Sequence, residues 1–382
     1  MDLTNRLRIE GRRLGLDALG VTPAVTPAGH AQYLRWLDQG RAAGMEYMKR
    51  DPAVRADPGR VLEGARSVVV ASLLYHHHAS PPADHGQGKI ARYAQGRDYH
   101  QVLREKLECL LDWLKGESPG IRGRVIVDTA PFLERDFARA AGLGWIAKNT
   151  MLINRRLGSY TFLGSILVDL ELDYDHPMET NHCGTCTRCL DACPTQAFTG
   201  PYELDAGRCI SYWTIEHRGT IPDHAAGSLH GWAFGCDICQ EVCPWNRKAP
   251  PGREPALEPR PEWTNPDLID WLVRGPAEWK ALLADSALER SKRKGLVRNA
   301  AVILGAGRVV EAVPALVGLL DNLGEQPSIR ASAAWALGRI ASHEAMASLE
   351  RHRDDPDPLV QDAVQAALAT DHEYEKRPAS PR

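Results

Sequence analysis

The chain reads as three consecutive segments: a layered α/β domain over residues 1–175, a small metal-stapled segment over 176–260, and an all-α segment of helical repeats over 261–382. Three observations predict this. Strand-like apolar runs alternate with amphipathic stretches in the first segment. Eight of the nine cysteines crowd into the second, and the third is rich in alanine and leucine with recurring helix-length units. At 382 residues, 43% hydrophobic and 25% charged, the composition is that of an ordinary globular protein with room for two or three domains. A formal charge of −3 excludes a global basic field, so any nucleic-acid contact must use a local patch.

In the first segment, Leu3, Leu7 and Leu14 with charges between them predict an opening helix. Strand signals follow at 67–74, 124–127 and 162–170, separated by helical stretches at 99–115 and 132–141. The pattern leaves the strand order open. The longest apolar run, Val68 to Tyr75, is strand-length and far short of the ~20 residues that cross a bilayer. Arg12-Arg13 is followed by no apolar segment or cleavage site. The expectation is a cytoplasmic protein off the membrane, monomeric by default. In that compartment thiols stay reduced, and clustered cysteines point to metal rather than disulfides.

The cysteines form two runs. The first is Cys183-x2-Cys186-x2-Cys189-x3-Cys193-Pro194; the second is Cys209, then Cys236-x2-Cys239-x3-Cys243-Pro244. The first run has the spacing of bacterial two-cluster ferredoxins, in which closely spaced thiolates wrap one cubane and the fourth cysteine serves the other cluster. That rule assigns one [4Fe–4S] cluster to Cys183, Cys186, Cys189 and Cys243, and a second to Cys193, Cys209, Cys236 and Cys239. The segment is therefore expected to be bacterial ferredoxin-like. Structural zinc sites favour separated C-x2-C pairs and fit this run poorly. Cys109 reads as a buried bystander on a helix. Pro250-Pro251-Gly252 and the proline-rich stretch to Pro261 read as a linker.

Further on, Val297-Arg298-Asn299-Ala300-Ala301-Val302-Ile303-Leu304-Gly305 resembles Arg330-Ala331-Ser332-Ala333-Ala334-Trp335-Ala336-Leu337-Gly338, with a weaker echo from Gln361. Shorter apolar units lie between them. The alternation predicts HEAT-like helix pairs that stack to share a core; a generic bundle is the alternative. Arg290, Lys292, Arg293, Lys294 and Arg298 make a basic cluster where the repeats begin, either a phosphate-backbone contact or a solvated face. The last residues, from Glu373, are polar and read as a frayed end.

Iron–sulfur clusters move electrons without choosing a reaction, so the substrate chemistry belongs in the first segment. In Val127-Asp128-Thr129-Ala130-Pro131 an apolar strand ends at Asp128. Asp128 is either a proton donor, if an apolar site raises its pKa, or a cap on the helix that follows. The glycine-punctuated stretch from Ala141 to Thr150 either lets backbone approach a large cofactor or forms a tight loop. Arg92-Tyr93-Ala94-Gln95-Gly96-Arg97-Asp98-Tyr99-His100 concentrates polar and aromatic groups ahead of a helix. His76-His77-His78 is either a metal site or a solvated strand end.

Together these motifs resemble the epoxyqueuosine reductases. The resemblance rests on the 92–100 stretch, on Val127 to Pro131 with Leu133-Glu134-Arg135, and on Ala141-Gly142-Leu143-Gly144-Trp145 with Lys148. It rests equally on both cysteine runs, on Cys209-Ile210-Ser211-Tyr212 and Cys243-Pro244-Trp245-Asn246, and on the repeat tail. It implies a cobalamin-dependent enzyme that reduces the epoxide of epoxyqueuosine at the tRNA wobble position to queuosine, the last step of that synthesis. A low-potential donor would feed the two clusters, which would reduce cobalamin to Co(I) in the α/β domain. The resemblance makes Asp128 the proton donor, held protonated in a dry site. It implies cobalamin contacts from Arg55, Tyr93, Asp98, Asp128, Lys148, Thr150, Ser159 and Ser211, and contacts to the tRNA anticodon stem-loop from Arg290, Lys292, Arg293, Lys294 and Arg298. Asp223-His224-Ala225-Ala226-Gly227 lacks the Asp-x-His-x-x-Gly spacing, so no protein histidine is expected below the cobalt. A reductive dehalogenase or a pure electron carrier would be rivals, but the repeat tail disfavours the first and the large N-terminal segment the second.

Overall fold

The computed structural model describes residues 2–77 and 82–374; His78 of the histidine run and residues 375–382 of the polar end lie outside them. The chain forms two compact units. One comprises Met1–His78, Arg92–Cys209 and Asp237–Arg260; the other comprises Ala79–Ala91, Ile210–Cys236 and Pro261–Arg382.

The first unit is built on a four-stranded antiparallel sheet in the order Ala18–Pro23, Ser67–Leu74, Thr161–Val168, Gly123–Ile126. Ser67–Leu74 is rich in β-branched residues and buried along its whole length, so both faces of the sheet are covered. One face carries the Tyr99–Glu117 helix, whose Leu103, Leu107, Leu110, Leu111 and Leu114 repeat at helical spacing and are fully buried. Burying each leucine contributes about 1.5–3 kcal/mol. Gly164 lets this helix close on the sheet: a Cβ there would lie 2.7 Å from Leu107 and 3.0 Å from Leu103. On the other face, Val68, Val70, Ile126 and Leu167 pack with Phe137, Ala138 and Ala141 of the Glu134–Ala140 helix region. The expected strands and helices are present, with Ala18–Pro23 an additional edge strand that carries no strong strand signal. Because the sheet is antiparallel, the crevice rule of parallel α/β sheets does not locate the site.

In the second unit, Lys89–Ile90 pairs in parallel with Trp232–Phe234. Among the described residues its other main elements are helices, from Leu268–Val273 and Pro276–Leu283 through Lys292–Ala306, Val313–Asp321, Pro327–Ile340, His343–Arg351 and Pro358–Tyr374. Gly305 and Gly338 hold equivalent repeat positions. A Cβ at Gly305 would lie 2.5 Å from Ala336 Cα, and one at Gly338 would lie 2.5 Å from Ala367 Cβ. These glycines let successive long helices approach closely, which is the packing reason for the Ala/Gly repeat. Trp263, Trp271 and Trp279 stack edge to face in the core ahead of the repeats. Among the described residues, no helix is long and apolar enough to cross a membrane.

Candidate active site and cysteine centre

Asp128 follows the Gly123–Ile126 strand with its backbone in the left-handed region, at φ 52°. Its carboxylate Oδ2 accepts a 2.6 Å hydrogen bond from the Tyr99 hydroxyl and lies 3.6 Å from His100 Nε2. His100 Nδ1 is 2.7 Å from Asp98 Oδ1, and Asp98 caps the helix by accepting from the His100 main-chain N–H at 3.0 Å. The imidazole thus stands between two carboxylates. Tyr99 stacks flat on Phe162 at 4.1 Å, and His100 stacks on Tyr99 at 4.0 Å. The Asp128 N–H donates to Glu134 Oε1 at 3.2 Å. Asp128 does not cap the Glu134–Ala140 helix, whose N-cap is Leu133.

These contacts redistribute the protons. Desolvation lowers the His100 pKa, but the two carboxylates outweigh it and raise it to about 9. Desolvation pulls the Asp128 carboxyl up, and the His100 imidazole at 3.6 Å together with the Tyr99 hydrogen bond more than reverses this. Glu134 is pushed up to about 8 by desolvation and by the Asp128 charge. The expectation of a dry, protonated Asp128 is therefore corrected. Its side chain is 61% exposed, its carboxyl is held below the ordinary range, and near neutral pH the available protons sit on His100 and Glu134.

The other residues expected at the cofactor are distributed as follows. Tyr93 lies edge-on to Tyr99, joining Asp98 and Asp128 in one network. Arg55 is buried beside Tyr33, with its guanidinium 5.4 Å from that ring. The Thr150 carbonyl accepts from Arg135, at a left-handed position with φ 64°. Ser159 is buried; its hydroxyl accepts from Gln240 at 3.1 Å and from Asn246 at 3.0 Å, which ties the strand entry to the second cysteine run. Ser211 belongs to the other unit and is half-buried. Lys148 donates to the carbonyls of Gly184 at 2.7 Å and Cys186 at 3.0 Å, inside the first cysteine run.

Cys243 is buried among Trp145, Ala147 and Ile153, with Cys183 and Trp245 packed against them. Burial pushes the Cys189 thiol up, and the charges of Cys243 and Cys183 push it further. Cys243 is raised likewise by burial and by Cys183 and Cys186. Cys183, Cys186, Cys189 and Cys243 are thus brought together. Cys193, Cys209 and Cys239 lie in the same unit, while Cys236 lies in the other. None of the nine cysteines forms a disulfide. Among the described residues, no three Cys, His, Asp or Glu side chains gather as for one metal ion; a cubane spreads its sulfurs wider than the ~3.8 Å that tetrahedral 2.3 Å zinc–sulfur bonds impose. Cys109 is exposed rather than buried, because it falls on the outer side of its helix.

Two further expectations change. Arg298 is 2% exposed, and its guanidinium donates to the carbonyls of Trp213, His217 and Gly219 at 2.8–3.0 Å. It anchors the 210–219 segment and is no surface contact for a phosphate; burial lowers its pKa to about 10. Lys292 and Lys294 are exposed, whereas Arg290 pairs with Glu216 and Arg293 with Glu325. His76 Nδ1 lies 3.0 Å from the Pro250 carbonyl and His77 Nε2 2.6 Å from that of Leu257, so these histidines hold the proline-rich linker. Sequence reasoning passed over Tyr99, His100 and Glu134 as site residues. The signal was present in Asp98-Tyr99-His100 at a helix start, which places an acid, an aromatic hydroxyl and an imidazole within one turn.

Comparison with known proteins matches three family models: "4Fe-4S double cluster binding domain" over 182–246, "Epoxyqueuosine reductase QueG, DUF1730" over 55–129, and "HEAT repeats" over 284–369. An epoxyqueuosine reductase of Cellulophaga algicola is 41% identical over 77% of this chain and 95% of its own length. That of Xanthomonas campestris pv. campestris is 37% identical over 96% of each chain. A crystal structure of epoxyqueuosine reductase with an epoxyqueuosine-modified tRNA-Tyr stem loop has TM-score 0.90 and 32% identity, covering 96% of this chain and 98% of that one. A solved structure of epoxyqueuosine reductase from Bacillus subtilis, with an aspartate-bearing catalytic loop swung out of the active site, has TM-score 0.90 at 31% identity, with coverage of 96% of this chain and 98% of that one. The cysteine segment is thus a two-cluster iron–sulfur domain, the tail is built of HEAT repeats, and the chain, an oxidoreductase, belongs to the epoxyqueuosine reductase family.

Proposed function

We propose that this enzyme reduces the epoxide of epoxyqueuosine at the tRNA wobble position, giving queuosine in the last step of its synthesis. The observation that carries the reading is the acid network at Asp128: an exposed carboxylate backed by a charged imidazole and a buried tyrosine hydroxyl. An epoxide oxygen released as the C–O bond breaks needs a proton. The proton is held by His100, whose Nε2 lies 3.6 Å from Asp128 Oδ2, and the exposed Asp128 carboxylate can take it up and pass it to the released oxygen. Tyr99 fixes the carboxylate orientation from its stack on Phe162. General acid help of this kind contributes ~100- to 10,000-fold.

No side chain supplies electrons at the potential this reduction needs, so a cofactor must. Cobalamin fits the residues present. The half-buried Tyr93 offers aromatic surface edge-on to Tyr99, the tyrosine that holds Asp128, and the Tyr160 hydroxyl next to Ser159 is buried without a partner, as for a group that a bound ligand would satisfy. Arg55, Tyr93, Asp98, Asp128, Thr150 and Ser159 of an α/β domain over 1–175, and Ser211 outside it, remain the residues proposed for it, while the ammonium of Lys148, counted with them from sequence, is committed to the Gly184 and Cys186 carbonyls. When bound, cobalamin would supply low-potential cobalt electrons delivered from the two clusters. Cluster ligation is proposed as Cys183, Cys186, Cys189 and Cys243 for one, and Cys193, Cys209, Cys236 and Cys239 for the other. By analogy with the relative crystallised with a modified stem loop, Lys292 and Lys294, joined by Arg290 and Arg293 if their carboxylate partners yield, contact the anticodon stem-loop. The enzyme is read as a cytoplasmic monomer served by a low-potential donor.

The test is anaerobic turnover of reconstituted protein with cobalamin, a strong reductant and epoxyqueuosine-bearing tRNA, followed by mass analysis of the nucleosides. Queuosine is expected. Its absence with clusters and cobalamin loaded overturns the substrate assignment.

A further inference from the structure

We propose that Lys148 is a positioning residue for the cluster held by Cys183, Cys186, Cys189 and Cys243, and that its ammonium sets that cluster's reduction potential. The inference rests on the cluster ligation above and not on the substrate.

The two acceptors of Lys148 are main-chain carbonyls of the ligand turn itself. One belongs to Gly184, between two ligand cysteines, and the other to Cys186, a ligand, at 2.7 and 3.0 Å. Among the described residues Lys148 pairs with no carboxylate, so its charge is not neutralised locally. Surface lysines ordinarily keep their heads in water. This one is half-buried and bonded at both ends. Its own carbonyl accepts from Tyr202 N–H at 2.9 Å. The Tyr202 hydroxyl accepts from Asn181 Nδ2 at 3.0 Å, and Asn181 Oδ1 accepts from Cys183 N–H at 2.9 Å. A closed ring of hydrogen bonds therefore fixes the ammonium relative to the ligand turn.

The neighbours of Lys148 act on the other cysteine run. Asn149 Nδ2 donates to the Cys239 carbonyl at 3.3 Å, and Trp145 packs on Cys243. The glycine-punctuated stretch thus works as a clasp across both runs, with one fixed cation aimed at the first. One-electron reduction of a cluster adds a negative charge. A nearby fixed cation favours the reduced form. Deleting the cation should make this cluster harder to reduce and leave the other unchanged.

The experiment is potentiometric EPR titration of the full-length, reconstituted protein, with iron counted per chain, for wild type, Lys148→Met and Lys148→Arg. Wild type that loads no clusters would sink the cluster reading itself. With both clusters loaded, Lys148→Met should move one of two reduction waves to more negative potential, and Lys148→Arg should hold it near the wild-type position. Loss of about half the iron in Lys148→Met but not in Lys148→Arg also supports the role, because the charge is then what the turn requires. Both waves unmoved in Lys148→Met overturns the inference, and so does equal iron loss in both variants.

Discussion

Replacing Asp98 with asparagine tests the proton store behind Asp128. Asn is as good an N-cap as Asp, so the side-chain oxygen can still accept from the His100 N–H and the helix start is preserved. What disappears is one negative charge 2.7 Å from His100 Nδ1, leaving Asp128 at 3.6 Å as the remaining anion in contact with the ring; Arg135 acts on Asp128, and Glu134 interacts with both Asp128 and His100. The two carboxylates together lift His100 from its ordinary 6.5 to about 9. Losing the nearer one should lower that value by about one to one and a half units, or ~2 kcal/mol at 1.36 kcal/mol per unit. Because the folded-state pKa is raised, this stabilisation is fully present below pH 6.5 and vanishes as pH rises through about 9. Asp98→Asn should therefore be destabilised by ~2 kcal/mol in denaturant titrations near pH 6 and match wild type near pH 10. The alkaline fall of turnover, placed by His100 near pH 9, should move down by the same one to one and a half units. An NMR titration that leaves His100 near 9 in the variant, or an unmoved alkaline limb, would refute the reasoning.

Four other outcomes follow from the same structure. Asp128→Asn should cut turnover ~100-fold or more with cluster iron unchanged, read by single-turnover assay and iron count. Cys243→Ser should lower iron from about eight to about four per chain and abolish one EPR signal, while Cys109→Ser should alter neither. Lys292→Glu with Lys294→Glu should weaken tRNA binding and flatten its salt dependence by ~1 unit of log–log slope per lost contact, in filter-binding titrations. Breaking the buried Arg330–Asp355 pair, whose members are 3% and 1% exposed, by Asp355→Asn should cost about 3–5 kcal/mol in denaturant unfolding, because it strands a buried guanidinium.

How far sequence carried the fold depends on which signal each element uses. The Ser67–Leu74 strand and the leucine-rich Tyr99–Glu117 helix were legible because their side chains pack on the repeat of their own backbone. The Ala18–Pro23 edge strand was not, since Ala-Leu-Gly-Val-Thr-Pro has neither clean alternation nor β-branched density, and it is selected by pairing with Ser67–Leu74. The two-cluster iron–sulfur character of the cysteine segment could be read from spacing, because a rigid cluster imposes fixed intervals on any chain that wraps it. Hydrogen bonds between distant segments leave no such interval. Lys148 read as a contact for a large cofactor, and only the fold reveals the carbonyls of Gly184 and Cys186 under its ammonium.

The basic run at 290–298 shows why charge is the least portable of these signals. Five cations within nine residues look equivalent in the sequence, yet the turn that ends at Arg290 and the helix that begins at Lys292 place them in different surroundings. Lys292 and Lys294 face water; Arg298, at i+4 from Lys294 but on a segment closed over by residues 213–219, spends its donors on three carbonyls. The two kinds of site separate by experiment. Charge reversal at an exposed lysine should change binding and its salt dependence while leaving stability within ~0.5 kcal/mol. Arg298→Met should instead unstitch the 213–219 segment, leaving buried carbonyls unpaired at about 1–3 kcal/mol each, and lower the unfolding midpoint before any RNA is added. A folded Arg298→Met protein of wild-type stability with selectively weakened tRNA binding would return that arginine to the RNA-binding surface.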